Sequence, residues 1–312
     1  MRRIRLAMNT AALLLILASP TITGAAQRMP VFVSIAPQAY FVNKIGEGLV
    51  ETWVMVEPGA QPHTYEPKPK QMIALSRAKI YFAVGIEFET VWLDRFQAVN
   101  PDMKIVHTDA DIRKFPMEEE HHPHDEKEDR TGGPSMEAPK TTHDQQHTHG
   151  VSDPHTWLSP PLALLQSRAI VCALVAEDPA HRDTYEANYR RLSVEILDLD
   201  AEIRNIFVGK QRKIEFMVFH PAWGYFARAY GLEQIPVEVE GKEPKPLQLK
   251  ELIERAKAKN IKVVFVQPQF STRSADTIAN ALGGHVAFAD PLASDWAKNL
   301  RDLAVKFESE LR

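Results

Sequence analysis

The sequence predicts an α/β fold in two parts. Three observations point to it. Short apolar runs alternate with helical stretches from residue 31 to about 108, as in a sheet flanked by helices. The same alternation resumes at residue 214 and continues to the C-terminus. Between them lies one helical pattern, 179–207, too long for an ordinary helix and suited to a strut joining two lobes. A chain of 312 residues is about two domains' worth. With 44% apolar and 25% charged residues, it has the composition of a packed globular body.

Residues 1–26 read as a secretory leader. Arg2, Arg3 and Arg5 precede an apolar run, AALLLILA (11–18), and then TITGAAQ offers small residues for cleavage after Ala25 or Ala26. The run is too short for a stable membrane span, and no later stretch reads as one. No cysteine lies near the cleavage site, so no N-terminal lipid attachment is expected. An exported, soluble protein of the periplasm fits best.

The first lobe, 27–178, carries four strand patterns: VFVSIA (31–36), ETWVMV (51–56), KIYFAV (79–84) and KIVHT (104–108), with helical patterns between them such as 88–99. Inside this lobe, 117–151 breaks the alternation. Residues 117–149 hold nine acidic and three basic side chains and hardly any apolar ones, a net −6; the chain's −4 becomes −7 once the leader with its three arginines is removed, so nearly all of the mature charge is concentrated there. Such a stretch buries too little surface to offset its ordering entropy and reads as a mobile, disordered loop. A helix over 162–175 follows. In the strut, 179–208, Leu192, Ile196, Leu199 and Ile203 recur at spacings of four, three and four, which puts them on one helical face. The second lobe, 209–312, alternates the strands IEFMVF (214–219), KVVFVQ (262–267) and HVAFA (285–289) with helices over 223–230, 248–258, 274–282 and 296–311.

Composition excludes several classes of function. A slightly acidic chain lacks the basic face of a nucleic-acid binder. One cysteine, Cys172, rules out an intramolecular disulfide and any cysteine-rich zinc cluster. There is no HExxH, no Gly-x-Ser-x-Gly and no phosphate-binding glycine loop, so no catalytic residue is assigned. Twelve histidines against one cysteine mean that a bound metal would be held by imidazole and carboxylate.

Three histidines stand in settings suited to a site: His63 in PGAQPHTYEPKP, His155 in SDPHTWLSP and His220 in VFHPAWGYF. Each adjoins a proline and lies in a connection or at the end of an element. His220 follows a strand at its carboxyl end, where ligands collect in open α/β sheets. Asp290, in FADPLASDW, is placed in the same way. Three imidazoles and one carboxylate match a tetrahedral zinc site. Each also has a plainer reading, a hydrogen-bonded surface histidine or, for Asp290 before Pro291, a turn residue. Glu66 reads either as a carboxylate orienting a ligand or as a surface charge. His107, His181 and His285 sit within strand or helix patterns and read as structural. The loop histidines His121, His122, His124, His143, His147 and His149 read as weak zinc ligands, against the alternative of a solvated linker.

The motifs PHTYEPKP, the His/acid-rich insertion, DPHTWLSP, FHPAWGYFARAYGL and DPLASDW occur in an order and spacing covering nearly the whole mature chain. In this the sequence resembles the zinc-specific periplasmic solute-binding proteins of bacterial ABC transporters, the cluster A-I family. The resemblance implies two Rossmann-like lobes, each a mostly parallel sheet with flanking helices, joined by a long rigid linker helix. It implies Zn2+ in the cleft between them, held by His63, His155 and His220, with Asp290 fourth. It also implies an ABC permease and its ATPase as partners, a periplasmic metallochaperone as a further one, and a monomeric state. Manganese and iron members carry a carboxylate at the third position. His220 there favours zinc, and imidazole suits zinc on chemical grounds as well. A manganese or iron binder of the same family is the alternative, ahead of a zinc hydrolase with Glu66 as base or a surface adhesin. Some zinc members carry a disulfide in the second lobe, which a single cysteine cannot form.

Overall fold

The computed structural model describes residues 28–117, 152–209, 214–238 and 242–310. The leader, the expected loop from residue 118 and its six histidines lie outside the described residues. In the first lobe, β1 (Met29–Val33), β2 (Val50–Val54), β3 (Ile80–Ala83) and β4 (Lys104–His107) form a parallel sheet in the order β2-β1-β3-β4. Helices α1 (Ala36–Gly46), α2 (Pro69–Leu75) and α3 (Glu87–Val99) connect them, and α4 (Pro160–Glu177) follows. After α5 (Arg182–Phe207) come β5 (Ile214–Val218), α6 (Gly224–Tyr230), β6 (Leu232–Pro236), α7 (Pro246–Ala258), β7 (Val263–Val266), α8 (Arg273–Leu282), β8 (His285–Phe288) and α9 (Trp296–Glu310). The second sheet repeats the first topology, β6-β5-β7-β8, again all parallel.

Local chemistry sets these boundaries. Proline stands in the first turn of α1, α2, α4 and α7, where its missing N–H is harmless and its fixed φ suits a helix. Hence the run VFVSIA is strand only to Val33, and Ala36–Pro37 already opens α1. Helices α6 and α8 stop at Gly231 and Gly283, both in the left-handed conformation that closes a helix end. Covering helices bury the central strands on both faces, so β3 and β7 are buried at every position. The sequence pattern did not reveal β6. Its apolar residues are interrupted by Glu233 and Gln234, and it ends in Pro236, which an edge strand tolerates.

The expected strut begins with a single 3-10 turn at Pro179–His181 and continues as α5, 26 residues or about 39 Å of helix. Its buried face, Leu192, Ile196, Leu199, Ile203 and Phe207, lies against α1 and α4 of the first lobe and α6 and α9 of the second. One apolar core therefore runs through both lobes. The period-2 alternation of the second sheet divides its side chains: Phe216, Val218, Val263 and Phe265 join that shared core, while Met217, Phe219, Val264 and Val266 pack a separate one beneath α7 and α8. Helix α4 is long and apolar enough to cross a membrane by length and composition, contrary to the expectation that no later stretch would be. Its buried residues Ala163, Ile170, Val171 and Leu174 belong to the shared core, against α5 and α1.

Hydrogen bonds also join the lobes. Trp157 Nε1 donates to the Pro291 carbonyl (2.8 Å), Trp296 Nε1 to the Trp157 carbonyl (2.7 Å), and Tyr225 Oη to the Asp153 carbonyl (3.0 Å). Trp296 also packs its ring edge-on to Phe41 at 4.9 Å. The segment carrying His155 is thus held between the two sheets.

Candidate metal centre

Both sheets point the carboxyl ends of their strands at one cleft. The order reverses between β1 and β3 in the first sheet and between β5 and β7 in the second, and such reversal points are where open α/β sheets bind ligands. His220 lies two residues beyond β5. Gln267, directly after β7, holds its backbone: Gln267 Nε2 donates to the His220 carbonyl (2.7 Å), and the His220 N–H to Gln267 Oε1 (3.3 Å). His63 sits in a 3-10 turn, Pro62–Thr64, after β2. His155 precedes the turn Thr156–Leu158, anchored by the tryptophan bonds described above.

The structure brings these three histidines together. Their ring centroids are 5.1 Å (His63–His220), 5.2 Å (His155–His220) and 6.4 Å (His63–His155) apart. One ring nitrogen from each falls within 4.8 Å of the others. Each ring has a carboxylate at Nδ1: His220 Nδ1 lies 2.6 Å from Glu238 Oε2, His155 Nδ1 2.7 Å from Asp153 Oδ1, and His63 Nδ1 3.4 Å from Glu87 Oε2. A carboxylate behind Nδ1 keeps the hydrogen there and leaves the Nε2 lone pair free for an electrophile. His220 shows the result most clearly. Its Nε2 is buried and has no hydrogen-bond partner among the described residues, an arrangement that costs desolvation energy unless a ligand uses the lone pair.

Electrostatics favour the same state. Burial pushes the His63 imidazole below its ordinary value, and repulsion from His220 adds to this. His220 is also lowered, chiefly by burial, against the opposing pull of Glu238. Neutral imidazole is the form that ligates a metal. The cavity between the rings is about 20 Å³ and is also lined by Ile86, Trp157, Gln269 and Phe270. That is room for one water-sized body, far below the several hundred Å³ of a pocket for an organic substrate.

Asp290 stands apart from this group. It follows β8, and its Oδ1 accepts from Gln269 Nε2 (3.1 Å) and the Leu292 N–H (2.9 Å). No oxygen of Asp290 belongs to the cluster of converging ligand atoms, although Pro291 and Leu292 line the cavity. Glu66 is exposed; the carboxylate beside His63 is Glu87. His181 pairs with Asp178 and His285 with Glu310, while His107 is exposed at the end of β4.

Sequence reasoning missed all three supporting carboxylates. Asp153 had a local signal: an aspartate two residues before a histidine and separated from it by proline can bond both that residue's N–H and its ring, as here. Glu87 and Glu238 lie 24 and 18 residues from their histidines, and no spacing rule connects them.

The sequence matches the family described as zinc-uptake complex component A, periplasmic, over residues 31–308. It is 29% identical over 258 residues to the high-affinity zinc uptake system protein ZnuA of Bacillus subtilis, covering 82% of this chain and 76% of that one. It is 28% identical over 284 residues to the Yersinia pestis protein of the same name, covering 90% and 88%. Among solved structures, a crystal structure of ZnuA superposes with a TM-score of 0.80 at 41% identity, covering 92% of this chain and all of that one. With an imidazole cavity sized for a single ion between two like α/β lobes, the chain belongs to the family of periplasmic zinc-uptake component A proteins, the solute-binding components of metal uptake systems and not enzymes.

Proposed function

We propose that this protein captures Zn2+ in the periplasm and delivers it to an ABC permease for high-affinity import. His63, His155 and His220 supply three ligands and Asp290 the fourth. The observation that carries this reading is the buried Nε2 of His220, unpartnered among the described residues, on a ring converging with two further imidazoles that are also backed by carboxylates. Three neutral nitrogens suit zinc, whereas manganese prefers more oxygen. The zinc-uptake names of the Bacillus and Yersinia relatives support the same ion. Residues 1–26 serve as a cleaved leader without lipid attachment, and the protein works as a monomer that receives zinc directly or from a metallochaperone. Histidines of the 117–151 segment bind zinc weakly and raise its local concentration.

Calorimetric titration of the metal-free mature protein with Zn2+ and Mn2+, for wild type and His220→Ala, tests the reading. One tight Zn2+ event, weak Mn2+ binding and loss of the tight event in the variant are expected. Equal affinity for both metals, or an unaffected variant, would overturn the ligand assignment.

A further inference from the structure

Beside the His cavity lies a larger groove between the lobes, about 400 Å³, lined with charged groups that include Glu57, Asp290, Asp295, Lys298 and Asp302. Groove and cavity share two wall residues, Gln269 and Leu292. The hydrogen bond from Gln269 Nε2 to Asp290 Oδ1 therefore stands at the partition between them. The Asp290 backbone is fixed separately, its carbonyl accepting from Asn299 Nδ2 at 2.7 Å. Movement of the carboxylate is thus a side-chain rotation. Of its two donors, the Leu292 N–H belongs to a local turn within the same loop, whereas Gln269 reaches across from the loop after β7. A hydrogen bond to an ionised carboxylate is stronger than one between neutral groups, so Gln269 restrains Asp290 appreciably.

We propose that Gln269 is a positioning residue that holds the Asp290 carboxylate away from the three imidazoles, so that this one hydrogen bond sets how readily a fourth ligand reaches the captured ion and how fast the ion leaves. This rests on the reading of the His cluster as a zinc site. Without Gln269's donor, Asp290 reaches the ion more readily, and zinc is held longer. With it, Asp290 becomes the fourth ligand only by giving up that bond, and returning to it leaves the ion on three imidazoles beside an open groove, a state suited to transfer.

The test uses the mature full-length chain loaded with Zn2+, and separately with Co2+, as wild type, Gln269→Leu, Gln269→Ala, Asp290→Asn and the Gln269→Leu/Asp290→Asn double variant. Zinc release is timed against excess chelator, and the visible absorption of the Co2+ form reports ligand number and type. Both Gln269 variants are expected to slow release on the order of tenfold, the worth of one charge-assisted hydrogen bond, and to change the Co2+ spectrum. The Asp290→Asn background is expected to abolish both effects. Unchanged release and spectrum in both Gln269 variants, or the same change with Asp290 already replaced, would overturn the proposal. His220→Ala separates this outcome from failure of the parent reading: if it loses tight binding while Gln269→Leu behaves as wild type, capture by the histidines stands and only the restraint falls.

Discussion

Glu238→Gln isolates what the supporting carboxylates contribute. Gln keeps the size of the side chain and retains an oxygen for His220 Nδ1 to bond, so the ring stays in place while the negative charge disappears. The charge is close and dry: the contact is 2.6 Å and both side chains are 7% exposed. Loss of such a partner typically lowers metal affinity about 10- to 100-fold, or about 1.4–2.8 kcal/mol. Glu87→Gln removes the corresponding charge behind His63, but that contact is 3.4 Å and Glu87 is 68% exposed. Distance and solvent both weaken it, so a loss of less than about threefold is expected. Competition for Zn2+ against a chromophoric chelator at pH 7.5 measures both variants. The reasoning is refuted if Glu238→Gln binds as tightly as wild type, or if the two substitutions cost the same.

Two further predictions concern protons. His63 and His220 titrate below their ordinary value of 6.5 in the folded protein, so the unfolded chain binds more protons between those values. Their contribution to stability is complete above about 6.5 and is lost as pH falls through the folded values. Zinc affinity should follow, level near pH 7.5 and falling towards pH 5 as protons compete for the lone pairs; an affinity independent of pH over that range would contradict ligation by histidine. Glu89 behaves oppositely. It is buried, accepts from Ser34 Oγ and from the Val84 (2.9 Å) and Gly85 (2.7 Å) N–H groups, and burial raises its carboxyl to about 7. The folded state therefore binds the extra proton between about 4.5 and 7, and the stability this confers is present below 4.5 and lost as pH rises through 7. Relative to wild type, Glu89→Gln should be more favourable to stability at pH 8 than at pH 5, by on the order of 3 kcal/mol. Urea unfolding at the two pH values measures the difference, and a variant whose effect is the same at both refutes it.

Much of this architecture is readable in one dimension because its causes are local. Buried parallel strands must be short apolar runs, so KIYFAV and KVVFVQ announce β3 and β7. The four-three-four spacing of Leu192, Ile196, Leu199 and Ile203 announces the buried face of α5. Where the local signal was diluted, as in LEQIP, the strand went unseen, since an edge position next to β5 decides it. His63, His155 and His220 could be singled out by their prolines and their places at element ends. Their convergence is another matter: it depends on two sheets of equal topology facing one another across α5, and no spacing between residues 63, 155 and 220 encodes 5 Å between rings. Tertiary structure alone placed a carboxylate at Nδ1 of His63 and of His220, because Glu87 and Glu238 come from distant parts of the chain, whereas Asp153 is local to His155. It also decided that the Asp290 carboxylate rests on Gln269 rather than among the imidazoles, since that bond joins loops from two different strands. Sequence determines which groups are available to bind a metal; packing determines which of their atoms are left without a partner.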